Sequence, residues 1–454
     1  MAPVIVIGFM GAGKSTLGRR LAEHRGVPHL DTDALLEERL GKPIAAVFAD
    51  EGEARFREAE QQLVLEQLAS SDDSVLSLGG GAVTSPSIAE ALAEHTVVYL
   101  EAPADELWGR VDGSDRPLAQ DRAAFEALHA ERVPLYEAIA RAVVPSVDLD
   151  VLVRADGALR ALESAPQGVR MVWAEAASGS YPAFIGPGAL SVQLTEPAGR
   201  RYVVTDSAVA EHHLTLVHEP AGAIEMPNGE EHKTLETTER VWQALIAQQA
   251  TRTDHVLALG GGVVGDLAGF AAACFQRGIP VVQAPTTVVS QVDSAYGGKT
   301  GVDLPQAKNY VGAYHQPAAV LADTTTLATL PPEEHSAGYA EVVKTALIAG
   351  GSLWDRIASG GPVDDEVIFG CARTKLQVVA SDERDGGRRQ VLNLGHTIGH
   401  ALETVSGYGT LRHGEAVALG TLAALRLSGP DELRTGGAGV VTAGGLPAQV
   451  APRL

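Results

Sequence analysis

Pro3-Val-Ile-Val-Ile-Gly-Phe-Met-Gly-Ala-Gly-Lys-Ser15 is a short apolar, β-branched run that ends in a glycine-rich turn carrying Lys and Ser. Residues 3–7 have the character of a buried parallel strand. Gly8 to Ser15 fits G-x-x-x-x-G-K-[ST] in full, and Thr16-Leu-Gly-Arg-Arg-Leu-Ala22 reads as the helix that follows. Strand, loop and helix in that order make a phosphate cradle. Gly11 and Gly13 let backbone N–H groups wrap a phosphate, Lys14 supplies a mobile positive charge, the Ser15 hydroxyl can ligate Mg²⁺, and Thr16 opens the helix. The fold class set by this stretch is α/β, with a nucleotide-binding parallel sheet.

The segments after it narrow the phosphoryl acceptor. His29-Leu-Asp-Thr-Asp33 is expected to end a second strand with Asp31 and Asp33 on one side. One carboxylate would help hold Mg²⁺, and the other would accept a hydrogen bond from a substrate hydroxyl. Gly52-Glu-Ala-Arg-Phe-Arg57 puts an Arg early in a helix, and Leu76-Ser-Leu78 feeds Gly79, Gly80 and Gly81. Arg116-Pro-Leu118 lies in a polar loop, and Arg132-Val-Pro-Leu-Tyr136 falls on a helix. Several separate arginines near such a loop suit a small carboxylate gripped bidentately, with one Arg over the transferred phosphate.

On GFMGAGKST, DTD, Phe56-Arg57, LGGGAVTS, RPL and ERVPLYE, residues 1–165 resemble shikimate kinase. The resemblance implies ATP- and Mg²⁺-dependent phosphorylation of the shikimate 3-hydroxyl. It puts Lys14 and Ser15 on ATP and Mg²⁺, and Asp31 on the metal. Asp33, Arg57, Gly79 to Gly81 and Arg132 would lie around shikimate, and Arg116 would be a lid residue reaching ATP. Ala119 departs from the family, which more often has a second Leu after RPL. A gluconate-type sugar kinase is the rival, and DTD, RPL and the triple glycine weigh against it.

Residues 152–165 read as a terminal helix, Pro166-Gln-Gly168 breaks it, and the boundary is expected near 166. Runs 169–174 and 180–185 read as a hairpin, and Arg201–Asp206 as a first parallel strand. Asn228-Gly-Glu-Glu-His-Lys233 is a polar loop able to hold ribose hydroxyls and a phosphate. His255-Val-Leu-Ala-Leu259 runs into Gly260-Gly-Gly-Val-Val-Gly-Asp266 and a small-residue helix, a pyrophosphate seat. Lys299 and Lys308 in Gly-rich polar sequence suit an anionic substrate, and Asp293 beside them could accept a proton.

In Val391-Leu-Asn-Leu-Gly-His-Thr-Ile-Gly-His-Ala-Leu-Glu403, a helix would place Asn393, His396 and His400 on one face, and His413 follows. These three histidines, with Asn393 and Glu415, fall within 23 residues. Asp385, Arg389 and Asn393 would run at i, i+4, i+8 into the same face. Glu341 and Lys344 at i, i+3 add a carboxylate and a cation, and Glu341, His396 and His413 make a His₂Glu set of the catalytic zinc type. A dinucleotide, a Lewis-acid metal and a positive pocket suit hydride abstraction from a secondary alcohol on a phosphorylated substrate.

From about residue 178 the chain resembles 3-dehydroquinate synthase, on GGGVVGDLAGF, APTTVVSQVDS, GGKTGV, KNYVGAYHQP, AEVVK, LNLGHTIGHALE and HGEAVA. The resemblance implies NAD-dependent conversion of DAHP (3-deoxy-arabino-heptulosonate 7-phosphate) to 3-dehydroquinate and phosphate, with Zn²⁺ or Co²⁺ on Glu341, His396 and His413. The NAD site would take in Asn228, Gly229, Glu230, Lys233, Gly262, Val263, Val264, Gly265, Asp266, Thr286, Thr287, Lys299, Lys308, Thr326 and Thr329. Asp293, Lys299, Asn309, Lys344, Lys375, Arg389, Asn393 and His400 would surround the substrate. Arg277 would reach a neighbouring subunit's phosphate site, which implies a homodimer through this half.

Asp385 stands where the family has Glu, Tyr296 replaces a small aliphatic residue, and Asp303 replaces Asn. The family continues beyond the equivalent of residue 454 with a helical segment carrying Asp-Lys-Lys, so the expectation is that either the sequence stops short of the whole second half or that half is impaired. A metal-dependent polyol dehydrogenase shares the glycine cluster and His-rich helix, although it would not require Lys299, Lys308 and Asn309. A second half that only binds NAD or metal beside an active kinase is a further alternative.

The implied architecture is a P-loop kinase (1–165), an α/β nucleotide-binding subdomain (166–330) and an all-helical metal-binding subdomain (331–454). Composition agrees with it. The 454 residues exceed one ordinary core. A net charge of −22 without a Lys/Arg run argues against nucleic-acid or anionic-membrane partners. Two cysteines without a metal-finger spacing, and no signal peptide, point to the cytoplasm.

Overall fold

The computed structural model describes residues 3–70, 72–112, 121–406, 411–428 and 431–449. The chain forms two compact units, Met1–Ser164 with Arg170–Trp173, and Ala165–Val169 with Ala174–Leu454. The division is therefore not a single cut, because a few residues past the Pro166 break belong with the first unit.

In the first unit, β1 (Val4–Ile7), β2 (His29–Asp31), β3 (Val75–Ser77), β4 (Thr96–Glu101) and β5 (Ala142–Pro145) lie in the order β2-β3-β1-β4-β5, all parallel. The start of β6 (Arg170–Ala176) extends it, Met171 and Val172 pairing with Ala142 and Val143. Every residue of β1 is buried, as a central parallel strand covered on both faces must be. The loop after β1 passes into helix Lys14–Arg25 in the expected order.

One expectation fails here. β2 stops at Asp31 and helix Thr32–Leu40 begins at once, so strand alternation does not relate Asp31 to Asp33. Asp31 is the N-cap, its Oδ1 accepting from Asp33 N at 3.0 Å and Ala34 N at 3.3 Å. The helical span Ile44–Leu68 is broken at Gly52 (φ 82°), which makes Arg57 an early residue of the helix after the break.

In the second unit β7 (Gly179–Ile185), β8 (Arg201–Asp206), β9 (Gly222–Met226), β10 (His255–Gly260), β11 (Val281–Pro285) and β14 (Ala319–Ala322) form a parallel series. Its order is β7-β14-β11-β10-β8-β9. Helix Gly262–Cys274 leaves β10 directly and packs Val264, Leu267, Ala268 and Ala271 into the core of Tyr202, Val204, Val256 and Val281. Between β11 and β14, β12 (Lys299–Leu304) and β13 (Ala307–Tyr314) form an antiparallel hairpin. Lys299 and Lys308 thus stand on strands. Alternating exposure along β13, with Val311 and Ala313 packed inward, explains the register.

From Pro332 onward the secondary structure of the described residues is all helical. The α-helices are Pro332–Ala349, Gly351–Ala358, Asp365–Ser381, His396–Ser406, His413–Ser428 and Asp431–Ala443, with a 3₁₀ segment at Arg388–Asn393. Among the described residues no helix is long and apolar enough to cross a membrane.

Candidate active sites of the two units

In the first unit the loop glycines are required. Gly8, Gly11 and Gly13 sit at φ 151°, 84° and 83°. A Cβ on Gly8 would lie 2.8 Å from the Leu100 carbonyl oxygen, and one on Gly11 2.9 Å from Val111 Cγ1. Lys14 opens the helix with its Nζ 3.3 Å from the Phe9 carbonyl, folded back over the loop, and Ser15 and Thr16 are exposed in the first turn.

Beside the loop, Gly79 separates two carboxylates, since a Cβ there would lie 2.7 Å from both Asp33 Oδ1 and Glu60 Oε1. Arg57 Nη1 pairs with Glu60 Oε2 at 2.7 Å, and its Nη2 with Glu53 Oε1 at 3.2 Å. Burial pushes the Glu60 carboxyl up, and Arg57 opposes the shift without cancelling it. Arg132 is buried, donates to the Gly80 carbonyl at 3.3 Å, and keeps a buried Nε without a partner. Tyr136, fully buried and stacked on Tyr99, donates to the same carbonyl at 2.6 Å. The result is a glycine-floored pocket with arginines and carboxylates on its walls, suited to a small polyhydroxy acid beside a phosphate cradle. Glu60 was missed by the sequence reading, although its i+3 spacing from Arg57 was there to be used. Arg116 lies outside the described residues.

In the second unit five segments meet. Asp293 sits in a π-helical turn, Ser290–Ser294, a backbone form frequent at functional sites. Helix Pro332–Ala349 brings Glu341 and Lys344, helix Asp365–Ser381 brings Lys375, and the last pair of site helices brings the histidines. Lys344 Nζ lies 3.0 Å from Asp293 Oδ2 and 2.5 Å from Glu341 Oε2. Lys375 Nζ pairs with Asp293 Oδ1 and donates to the Asp293 carbonyl at 2.6 Å. Two lysines and two carboxylates, all with little or no exposure, therefore form one neutral chain of charge. Burial alone would raise the Asp293 carboxyl, but Lys344 and Lys375 hold it well below the usual carboxylate range.

At the end of this chain Glu341 Oε1 is buried without a hydrogen-bond partner. His396 Nε2 lies 3.6 Å from it and His413 Nε2 3.7 Å. One ligand atom from each of Glu341, His396 and His413 falls within 4.8 Å of the other two. These separations are too long for hydrogen bonds. Ligands at about 2.05 Å around a tetrahedral ion are about 3.3 Å apart, so a small inward shift would fit a Zn²⁺ or Co²⁺ ion. The donor set and the orphaned carboxylate oxygen fit such a cation. Burial also depresses His396, with Glu341 opposing.

Glycine makes the approach possible. A Cβ on Gly414 would overlap the Ala337 backbone, and one on Gly420 the Gly395 carbonyl, so helix His413–Ser428 can touch both neighbouring segments. His400 joins the group with its ring centroid 5.4 Å from His396 and 5.8 Å from His413.

Asn393 does not share the histidine helix. Gly395, at φ 82°, separates it from a helix that starts at His396, and Asn393 is exposed in the 3₁₀ segment. The i, i+4, i+8 run of Asp385, Arg389 and Asn393 fails as well, because Asp385 sits at φ 63° outside any helix and Arg389 and Asn393 lie in the 3₁₀ segment. Arg389 is buried and donates to the Gly297 carbonyl at 3.0 Å and to the Glu383 carbonyl, so it ties backbone together. Glu415 accepts from Arg412 N at 2.9 Å, capping its own helix.

At the nucleotide seat Gly262, Val263, Val264 and Gly265 form the first turn of helix Gly262–Cys274, next to the pair of buried Lys233 and half-buried Asp266 at 2.9 Å. Glu230 lies 3.7 Å from Lys233 and 4.0 Å from Lys308, with Asn228 and Gly229 in the loop before it. Thr286 Oγ1 is buried without a partner. Thr287 bonds Ser290, Thr326 bonds Asp323 and Gln291, and Thr329 meets His213. Lys299 pairs with Asp385 at 2.6 Å, and Asn309, at φ 54°, donates its N–H to Asp303. Arg277 is exposed at φ 70°.

The fold and the two clusters define the class: a P-loop nucleotide-binding unit followed by an α/β-plus-helical unit with a buried carboxylate–imidazole site. Family profiles then resolve it, with shikimate kinase matching residues 10–160, 3-dehydroquinate synthase N-terminal 223–337 and 3-dehydroquinate synthase C-terminal 338–438. The 3-dehydroquinate synthase of Halorhodospira halophila is 45% identical over 274 residues, 57% of this chain and 77% of that protein. The chain belongs to the 3-dehydroquinate synthase family and carries a shikimate kinase domain in front of it. A solved 2-deoxy-scyllo-inosose synthase, complexed with carbaglucose-6-phosphate, NAD⁺ and Co²⁺, is 28% identical with a TM-score of 0.54, covering 60% of this chain and 82% of that one. ValA (2-epi-5-epi-valiolone synthase) from Streptomyces hygroscopicus, with NAD⁺ and Zn²⁺ bound, is 27% identical with a TM-score of 0.55 over 60% and 82%. Family membership sets aside the polyol dehydrogenase.

Proposed function

We propose that the chain is a bifunctional enzyme that phosphorylates shikimate at its 3-hydroxyl with ATP and Mg²⁺, and converts DAHP to 3-dehydroquinate and phosphate with NAD⁺ and Zn²⁺ or Co²⁺. The observation that carries the second activity is the buried Glu341 oxygen facing two imidazole nitrogens at 3.6 and 3.7 Å. The NAD⁺ and divalent ions in the two solved neighbours support the same reading.

In the first unit Lys14 and the loop N–H groups would hold the ATP phosphates, with Ser15 and Asp31 toward Mg²⁺. Asp33 would orient the 3-hydroxyl and accept its proton, while Arg57 and Arg132 grip the shikimate carboxylate above Gly79–Gly81. Arg57 is held ready by Glu53 and Glu60. Losing one charge-assisted hydrogen bond costs about 1.5–3 kcal/mol. Arg57→Met should therefore raise the KM for shikimate about 10- to 100-fold and leave the KM for ATP unchanged, as initial-rate kinetics would show. An equal rise in both would remove Arg57 from the shikimate pocket.

In the second unit, Glu341, His396 and His413 would hold a divalent ion that would supply Lewis-acid polarisation of the alcohol oxygen, and bound NAD⁺ would supply hydride transfer. Gly262 to Gly265 would face the pyrophosphate, with Asn228, Glu230 and Thr286 toward the rest of the dinucleotide. Lys299, Asn309 and Lys375 would meet the anionic substrate. Asp293, locked between two lysines and strongly acidic, is a poor base, and its work is to hold Lys344 and Lys375 in place. His400, exposed beside the cluster, is better placed to exchange a proton with substrate.

Arg277 on its exposed turn suits a homodimer through this unit, and the cytoplasm suits both reactions. The deciding assay is phosphate release from DAHP by the 454-residue chain with NAD⁺ and Zn²⁺ present and ATP absent. Release that requires both supports the reading, and a chain that phosphorylates shikimate but releases no phosphate defeats its second half.

A further inference from the structure

Glu403 is buried on helix His396–Ser406, three residues after His400 and seven after His396, so it shares their face. Its Oε1 lies 3.5 Å from His413 Nδ1, while His413 Nε2 lies 3.7 Å from Glu341 Oε1. The ring therefore stands between two carboxylates, one at each nitrogen. His396 is held in a parallel way by a different acceptor, its Nδ1 lying 3.3 Å from the Leu394 carbonyl with Nε2 toward Glu341.

We propose that Glu403 is the positioning residue of His413: it accepts the Nδ1–H and fixes the tautomer whose Nε2 lone pair faces Glu341 and His396. The inference rests on the metal reading of Glu341, His396 and His413. An anionic acceptor behind an imidazole makes the ring a stronger donor and restricts its rotation, and losing such an acceptor costs metal affinity about 10- to 100-fold. His413 needs the restraint more than His396, because it is the first residue of its helix and its side chain is 43% exposed against 16%. His400, Glu403 and His413 also bring one ligand atom each within 4.8 Å of one another, so Glu403 as a ligand of a second ion is the competing possibility.

The test is Co²⁺ binding to the full chain by competition with a chelator, read together with the cobalt d–d absorption, with NAD⁺ binding as the check on folding. The parent should bind one equivalent at this cluster. Glu403→Gln should bind one equivalent about 10- to 100-fold more weakly with NAD⁺ binding unchanged, and Glu403→Asp should fall between. An unchanged Co²⁺ affinity in Glu403→Gln overturns the proposal. So does a second tight equivalent in the parent that the variant loses, which would make Glu403 a ligand. If Glu403→Gln loses NAD⁺ binding as well, Glu403→Asp decides, a parent-like affinity overturning the proposal and a weakened one supporting it. A parent chain that binds no Co²⁺ overturns the metal reading along with it, whereas a failure confined to Glu403→Gln leaves that reading standing.

Discussion

His396→Ala is expected to lower phosphate release from DAHP by at least about 10³-fold while shikimate phosphorylation by the same sample stays at the parent rate. Lewis-acid stabilisation of an alkoxide is worth several kcal/mol, and about 4 kcal/mol corresponds to three decades in rate. The substitution removes one of the two imidazoles that, among the described residues, face the buried Glu341 oxygen. It leaves the nucleotide seat at Gly262–Asp266 and the Lys344–Asp293–Lys375 chain in place, so NAD⁺ binding should persist. His400 is near enough to take up part of the vacated position, its ring centroid 5.8 Å from His413. Residual metal content with lost activity is therefore the expected pattern, and metal analysis of the purified variant would reveal it. The kinase assay is an internal control, because Lys14, Arg57 and Arg132 belong to the other compact unit. Phosphate release within about tenfold of the parent would remove His396 from the role of ligand.

Much of this site was legible in the sequence, and the illegible parts have identifiable causes. The glycine-rich loops could be read because each fixes its own backbone locally: Gly11 and Gly13 adopt positive φ, and the turns at Gly8 and Gly260–Gly262 each join a strand to a helix. Glu341 and Lys344 could be read because residues three apart on one helix share a face whatever surrounds them. Asn393 was misplaced because helical periodicity was extended back through Gly395, which instead takes a left-handed conformation and ends the register. Asp31 and Asp33 were misjudged for the converse reason, a short strand giving way to a helix that recruits Asp31 as its cap. Arg389 illustrates a different limit. An arginine bound to the carbonyls of Gly297 and Glu383 is defined by distant backbone, and no local pattern announces that. The pairings of Asp293 with Lys344 and Lys375, 51 and 82 residues away, are non-local in the same sense.

Those pairings carry the second large effect. Asp293→Asn should destabilise the second unit by about 3–5 kcal/mol, because it keeps the shape of the side chain but leaves two buried ammonium groups without their shared carboxylate. For a unit of this size that corresponds to a fall in Tm of roughly 6–20 °C, measurable by calorimetry on the full chain with the kinase activity as a separate marker of the first unit. Lys375 would lose its side-chain partner at residue 293 and keep the carbonyl there. The pH dependence has a definite sign. The folded-state pKa of Asp293 lies below the unfolded value of about 3.9, so its contribution is fully present above that value and is lost as pH falls toward the folded pKa. The Tm gap between parent and Asp293→Asn should therefore be constant from pH 8 down to about 5 and begin to close below about pH 4. A gap that stayed constant through pH 3, or a variant as stable as the parent at pH 7, would mean that the lysines are neutralised by something other than Asp293. Because Lys344 also touches Glu341, the variant should weaken Co²⁺ binding as well, so the stability of this charge chain and the integrity of the candidate metal site are expected to fall together.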